Sequence, residues 1–352
     1  MAASLIQRLL RGRLLYLLLG LLVLLLYTRG VPGGLHDPSE PVAPAQQSRP
    51  LEGWSTTIDL RILNEVLVRE PHLAMVVSAL AVFVLGMGLG GIVLTAWMIG
   101  SGRLGKLWRF RAKPLPSWSF GEMGRITILT VLITSLLPFV RLAFVPHHAE
   151  PEPDLHLWLT ASMLFLDTFV ALMILTLAAG KASTPWRAVG LSIRHARVSL
   201  EHSFRAYLTV FPWLFVLVFL SAALAHAVGF QPPVEPIQRL LFQEDRPAVL
   251  WMTALLACLV GPMAEELFFR GVVYAAVRRR TSRLTAMLVS GGIFALIHTS
   301  PIGFVPIMVL GCLLAHLYER TGSLVGPLVI HSFHNSLLLG MAMLYRHLTS
   351  LA

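Results

Sequence analysis

The sequence predicts an all-α fold: a polytopic transmembrane helical bundle of about eight to nine spans. Three observations predict it. Of 352 residues, 56% are hydrophobic and only 13% charged, with a mean hydropathy of +0.72. A water-soluble domain needs more charge than that on its surface. Several apolar runs reach or exceed the about 20 residues that cross a bilayer core as a helix. The basic residues behind the net charge of +10 fall in short segments between those runs, which is the positive-inside pattern of membrane proteins. That placement excludes a nucleic-acid partner and makes the lipid bilayer the expected one.

From the N-terminus, Leu14–Thr28 is a short apolar run behind Arg8, Arg11 and Arg13. It lacks a small-x-small cleavage site directly after it, so residues 1–30 are expected to form a signal anchor or first span. Residues 31–53 are rich in Pro, Gly, Ser and acids and predict a flexible linker. Residues 55–70 place Ile58, Ile62, Leu63, Val66 and Leu67 on one side, as in an amphipathic helix resting on the outer surface. Residues 31–72 together are expected outside the membrane. Further spans are predicted at 73–99, 126–145, 155–179, 207–229, 248–277, 284–300, 302–318 and 324–345. The Gly86–Gly90 pair in the first of these has GxxxG spacing, which predicts close helix packing. Pro185–Leu200 is basic with a partial apolar face and predicts an interfacial helix on the anionic leaflet.

Charge sets the orientation. Segments 1–13, 100–125, 180–206, 278–283 and 319–323 hold 19 Lys and Arg, against 6 in the alternate segments. The expected placement is therefore the inner (cytoplasmic) membrane, multi-pass, with a cytoplasmic N-terminus. Cys258 and Cys312, both in apolar runs, make neither a disulfide framework nor a metal knuckle and are expected to pack between helices.

Ionisable groups inside spans cost roughly 2.5–3.5 kcal/mol each on insertion scales, so they mark function first. The C-terminal third concentrates them: Glu265, Glu266 and Arg270, then His298, then His316, then His331, His334 and Asn335. Counted inward from the basic flanks at 1.5 Å per residue, Glu265 and His298 lie about 20 and 22 Å deep. His331 and Asn335, counted from Arg320, lie about 16 and 22 Å deep. Three helices thus bring polar groups to one level, as a shared polar cavity requires. Glu266 and Arg270 stand at i and i+4 in the favourable order and are expected to pair. Glu265, about 100° away, is left to line the cavity, where desolvation suits a general base. His331 and Asn335, also i and i+4, project to one side as donors for a developing oxyanion. His226, His316 and His334 are expected to be packing residues. Asp167, alone in an apolar span, either pairs with a base or lines the cavity. Arg141, near an outer end, is expected to snorkel.

These residues resemble a known family. Glu265-Glu266-Leu-Phe-Phe-Arg270 resembles the EExxxR motif of CPBP (CAAX protease and bacteriocin-processing) membrane proteases, which include the CAAX prenyl endopeptidases. Phe294-Ala-Leu-Ile-His298 is similar to their FxxxH motif, and His331-Ser-Phe-His-Asn335 to their HxxxN motif. The likeness covers about residues 245–345, a protease-like core set behind N-terminal helices at 73–244 with basic loops. It implies an intramembrane endopeptidase with an active site in an intramembrane cavity. By that resemblance Glu265 and His298 activate water, His331 and Asn335 form the oxyanion hole, and Glu266 and Arg270 support the site. It implies a glutamic mechanism without a cofactor. The alternative is Zn²⁺ held by Glu265, His298 and His331. The expected substrate is a membrane-anchored protein or hydrophobic peptide cut in a terminal segment. Competing readings are a proton-coupled transporter, or a catalytically silent relative acting in binding or immunity.

Overall fold

The computed structural model describes residues 60–108, 118–144, 155–181, 196–232 and 236–351, with Tyr16, Leu19, Trp186 and Val189–Leu191. Apart from Tyr16 and Leu19, the expected signal anchor lies outside the described residues, as do the linker 31–53 and Arg141's side chain. Those described are helical, with no strand among them. A ten-residue helix α1 (Leu60–Arg69) leads into α2 (Pro71–Gly100), followed by α3 (Phe120–Phe144), α4 (Leu155–Ala179) and α5 (Ala196–Ala227). A short α6 (Pro236–Gln243) precedes α7 (Pro247–Arg278), α8 (Arg283–Ile297), α9 (Phe304–Thr321) and α10 (Val325–Leu351). Seven of these are long and apolar enough to cross a membrane, and α8 is a shorter apolar helix of 15 residues. This is a multi-pass membrane protein.

The two ends of the bundle differ in charge. At the basic end, buried Glu319 accepts from Tyr274 Oη at 2.9 Å and Arg278 Nε at 3.2 Å, and forms an ion pair with Arg283, whose Nε is 3.0 Å away. One carboxylate from α9 thereby ties the end of α7 to the start of α8. At the other end, Val66, Leu73 and Leu348 cluster where α1, α2 and the C-terminus of α10 meet. Arg346 there pairs with Asp245 at 2.7 Å.

Three local expectations are corrected. A Cβ on Gly86, Gly88 or Gly90 would meet nothing within 4 Å, whereas one on Gly91 would run into the Leu208 carbonyl and lie 3.1 Å from Pro212. The close α2–α5 crossing therefore sits at Gly91. The GxxxG pair faces away from the bundle. The segment around residue 190 does not lie flat on the surface. Val189 is fully buried, and Gly190 turns at φ +86° against the Tyr318 ring. Ala196–Leu200 belong to the first turns of α5. Finally, α10 starts at Val325 after a left-handed turn at Gly322. His331 and Asn335 therefore lie about 9 and 15 Å along their own helix, less than a count from Arg320 suggests.

Candidate active site

Helix α7 carries the site because it is not a uniform helix. It widens to π-helical turns at Leu256–Val260 and again at Leu267–Tyr274, on either side of the α-helical Gly261–Glu266. Pro262 accounts for the first widening, since a proline ring clashes with the carbonyl four residues back and brings no N–H. In the wide register Gly261 N–H reaches the Leu256 carbonyl. The Ala257 carbonyl would then look to residue 262, which has no proton to give. Asn335 Nδ2 supplies it, at 2.8 Å. Ser290 Oγ of α8 likewise donates to the Phe269 carbonyl in the second widening, at 3.2 Å. Such bulges frequently interrupt α-helices at functional sites.

Between the two widenings, Glu265 and Glu266 meet His331 of α10. Arg270 Nη1 donates to Glu266 Oε1 at 2.7 Å, and His331 Nδ1 to the same oxygen at 2.9 Å. Arg270 is 0% and Glu266 1% exposed. The second arm of Arg270 donates to the Gly311 carbonyl of α9 at 3.1 Å. Gly311 can offer it because α8 and α9 nearly touch there: a Cβ on Gly311 would lie 2.9 Å from Gly291 Cα. A carboxylate on Nδ1 fixes the imidazole so that Nε2 faces inward. Glu265 Oε2 stands 3.6 Å from that Nε2, with a side chain 26% exposed. Their separation exceeds a direct hydrogen bond.

His298 caps α8, and its Nδ1 donates to the Phe294 carbonyl at 2.7 Å, leaving Nε2 as the acceptor nitrogen. Its ring lies 4.6 Å from Phe294, whose ring is 5.5 Å from His331 and 4.6 Å from the Arg270 guanidinium. Phe294 is thus the spacer that sets His298 beside the Glu265–His331 pair. Thr299, next in the chain, holds φ +50°, a strained value for a β-branched residue.

Of the predicted site residues, Glu265, Glu266, Arg270 and His331 come together directly. His298 joins through Phe294, and Asn335 spends one amide proton on the helix backbone. Sequence reasoning missed that Glu266 orients His331. The two are 65 residues apart, and only their shared burial could have signalled it. His334 donates or accepts at Tyr207 Oη, 2.9 Å away, as a packing residue would. Among the described residues no three His, Cys, Asp or Glu donors converge as a ligand set. Within the site, Glu265 Oε2 and His331 Nε2 stand 3.6 Å apart.

Residues 247–337 match the family model of the type II CAAX prenyl endopeptidase Rce1-like proteins. Residues 247–337 thus resemble an Rce1-like domain. All seven motif residues fall inside the matched stretch. The chain is similar to "Putative membrane peptidase YdiL" of Bacillus subtilis (strain 168), 29% identical over 82 residues, or 23% of this chain and 34% of that protein. It is also similar to UPF0177 protein YxdF of Lactococcus lactis subsp. lactis (strain IL1403), 28% identical over 81 residues, or 22% of this chain and 42% of that one. The matched region spans about a third to two-fifths of these curated relatives. No solved structure matches the chain significantly. The stretch matched by the family model, 247–337, lies wholly after α2 to α5 in the chain.

Proposed function

We propose that the protein is an intramembrane endopeptidase whose Rce1-like domain hydrolyses a peptide bond in a membrane-anchored or hydrophobic terminal segment. The observation that carries this is Glu265 facing His331 Nε2 inside the bundle, with Glu266 and Arg270 fixing the far side of the imidazole. In this reading Glu265, assisted by His298, takes a proton from water. The hydroxide oxygen bonds to the scissile carbonyl carbon. His331 Nε2, when it carries a proton, and the second amide proton of Asn335 donate to the oxyanion. As the C–N bond breaks, the proton held by Glu265 passes to the leaving amine, giving an acid and an amine.

The mechanism as proposed uses no metal. In the alternative, Zn²⁺ would be held by Glu265, His298 and His331, with His298 offering its Nε2. The N-terminal half, 73–244, serves in this reading to close the bundle and admit substrate from the membrane.

The test is Glu265→Gln, which keeps shape and removes the base. Membrane-anchored proteins in cells carrying the wild type and the variant are compared for terminal tails. Uncut tails on a few proteins in the variant support the reading and name the substrate. Identical tails would sink it. With that substrate in hand, a chelator should leave cleavage intact, and loss of cleavage restored by Zn²⁺ would move the assignment to the metal alternative.

A further inference from the structure

Asp167 is the one acidic residue in α4, 12 residues from each end of a 25-residue apolar span. It therefore lies about 18 Å from either end, at the depth of the site. A charge at that depth is costly and ordinarily marks a functional group with a partner. Yet it makes no hydrogen bond or ion pair with the described residues. Its burial is incomplete.

The helix register shows what it faces. Helices α4 and α7 run in the same direction, and their seam is marked by Thr160 and Thr253, whose hydroxyls are 3.5 Å apart. Seven residues on, the same face of α4 presents Asp167. Eight residues on, the same face of α7 presents Gly261. A Cβ on Gly261 would lie 3.5 Å from Asp167 Oδ2. Glu265 is the next residue on that α7 face. Side chains on a helix lean toward its N-terminus, so Glu265 leans back toward Gly261 and toward Asp167. Glu265 Oε2 is buried without a hydrogen-bond partner. The groups whose charge acts on Glu265 are His331 from α10, Asp167 from α4, and Glu266 and Arg270 on its own helix.

We infer that Asp167 is a positioning residue of the same site: its carboxylate and that of Glu265 hold one proton between them. This deepens the proposed function and rests on it. Two carboxylates in a shared low-dielectric site do not both ionise freely. When the proton sits on Asp167, Glu265 is the ionised base that water needs. After attack, the pair stores the extra proton until the amine departs with it. The Rce1-like domain is then incomplete without α4, although residues 247–337 carry every motif.

The experiment uses the full chain in lipid nanodiscs. Infrared spectra across pH follow the carboxylic C=O band that disappears in Glu265→Gln. In Asp167→Asn the titration midpoint of that band should move by about 1 pH unit. Asp167→Glu, which retains the charge, should move it less than half as far. By linkage, Glu265→Gln should shift the band lost in Asp167→Asn. A midpoint unmoved by Asp167→Asn, or no protonated carboxyl band at all, overturns the inference. With an identified substrate, Asp167→Asn should lower kcat while KM holds, and Asp167→Glu should restore it in part. Coupled bands with unchanged membrane-protein tails would sink the protease reading alone. Changed tails with uncoupled bands would sink this inference alone.

Discussion

Helices α2 and α9 invert the rule learned from water-soluble proteins. Helix α2 is the most apolar span, yet only 6% of its apolar stretch is buried in the protein. Helix α9 is the least apolar, yet 56% of it is buried. In water the apolar helix would be inside. In a bilayer the lipid is as apolar as leucine, so burial no longer rewards apolar surface. What draws helices together is what lipid cannot satisfy: small residues that allow backbone contact, and polar groups that need partners. Gly311, His316 and Glu319 of α9 are of that kind. Val82, Phe83, Leu89, Val93 and Trp97 of α2 stay exposed.

The comparison can be broken most sharply at the buried pair behind the site. Arg270→Ala or Glu266→Ala leaves a buried charge alone and should cost about 3–5 kcal/mol. Protein level in the membrane and thermal melting in detergent should both fall steeply. A variant with wild-type melting would mean the pair is not desolvated as described.

A smaller effect tests the glycines. Gly311→Val should force α8 and α9 apart and cost about 1–3 kcal/mol through overpacking, and Gly91→Val should do the same at the α2–α5 crossing. Gly86→Val and Gly90→Val, with open space at each Cβ, should change melting by less than about 0.5 kcal/mol. If the Gly86 and Gly90 variants prove the damaging ones, α2 packs on its other face.

The smallest effect lies in the loop between α6 and α7, away from the basic end. Arg246 grips Glu244 with hydrogen bonds at 2.8 and 2.9 Å, and His156 adds one at 3.1 Å. The Arg246 bonds, against the opposing effect of burial, hold the Glu244 carboxyl down at about 2, below its ordinary 4.5. A carboxyl lowered in the folded state stabilises fully above about pH 4.5 and loses that contribution as pH falls toward 2. Melting temperature followed from pH 6 to pH 3 should therefore drop less in Glu244→Gln than in wild type. Parallel curves would show that the loop bonds do not hold.

Much of this was legible before any coordinates. Hydropathy located the seven described spans and the shorter α8, because each is a continuous apolar run, and the three motifs located the polar cluster. The details that escaped depend on contacts far apart in sequence. Nothing near Glu266 announces His331, and nothing near Arg270 announces the Gly311 carbonyl. The start of α5 was missed because Arg197, Glu201 and Arg205 make its first turns polar, although they continue one helix. Spacing alone suggested that Gly86 and Gly90 pack. Spacing does not say which side of a helix meets a neighbour and which meets lipid.

Helix α8 has one more consequence. At 15 residues it is about 22 Å long, against a hydrocarbon core of about 30 Å. Leu284, Leu288, Ile293, Leu296 and Ile297 are exposed along it, so lipid chains lie against that side. A helix too short for its bilayer draws the headgroups toward it or leaves its polar tip under a dimple in the membrane. Either way the layer of oil between bulk solvent and the His298–Gly303 tip is thinner than elsewhere around the protein. The proposed hydrolase must be supplied with water, and among the described helices this shortened hairpin is where the membrane offers a short route.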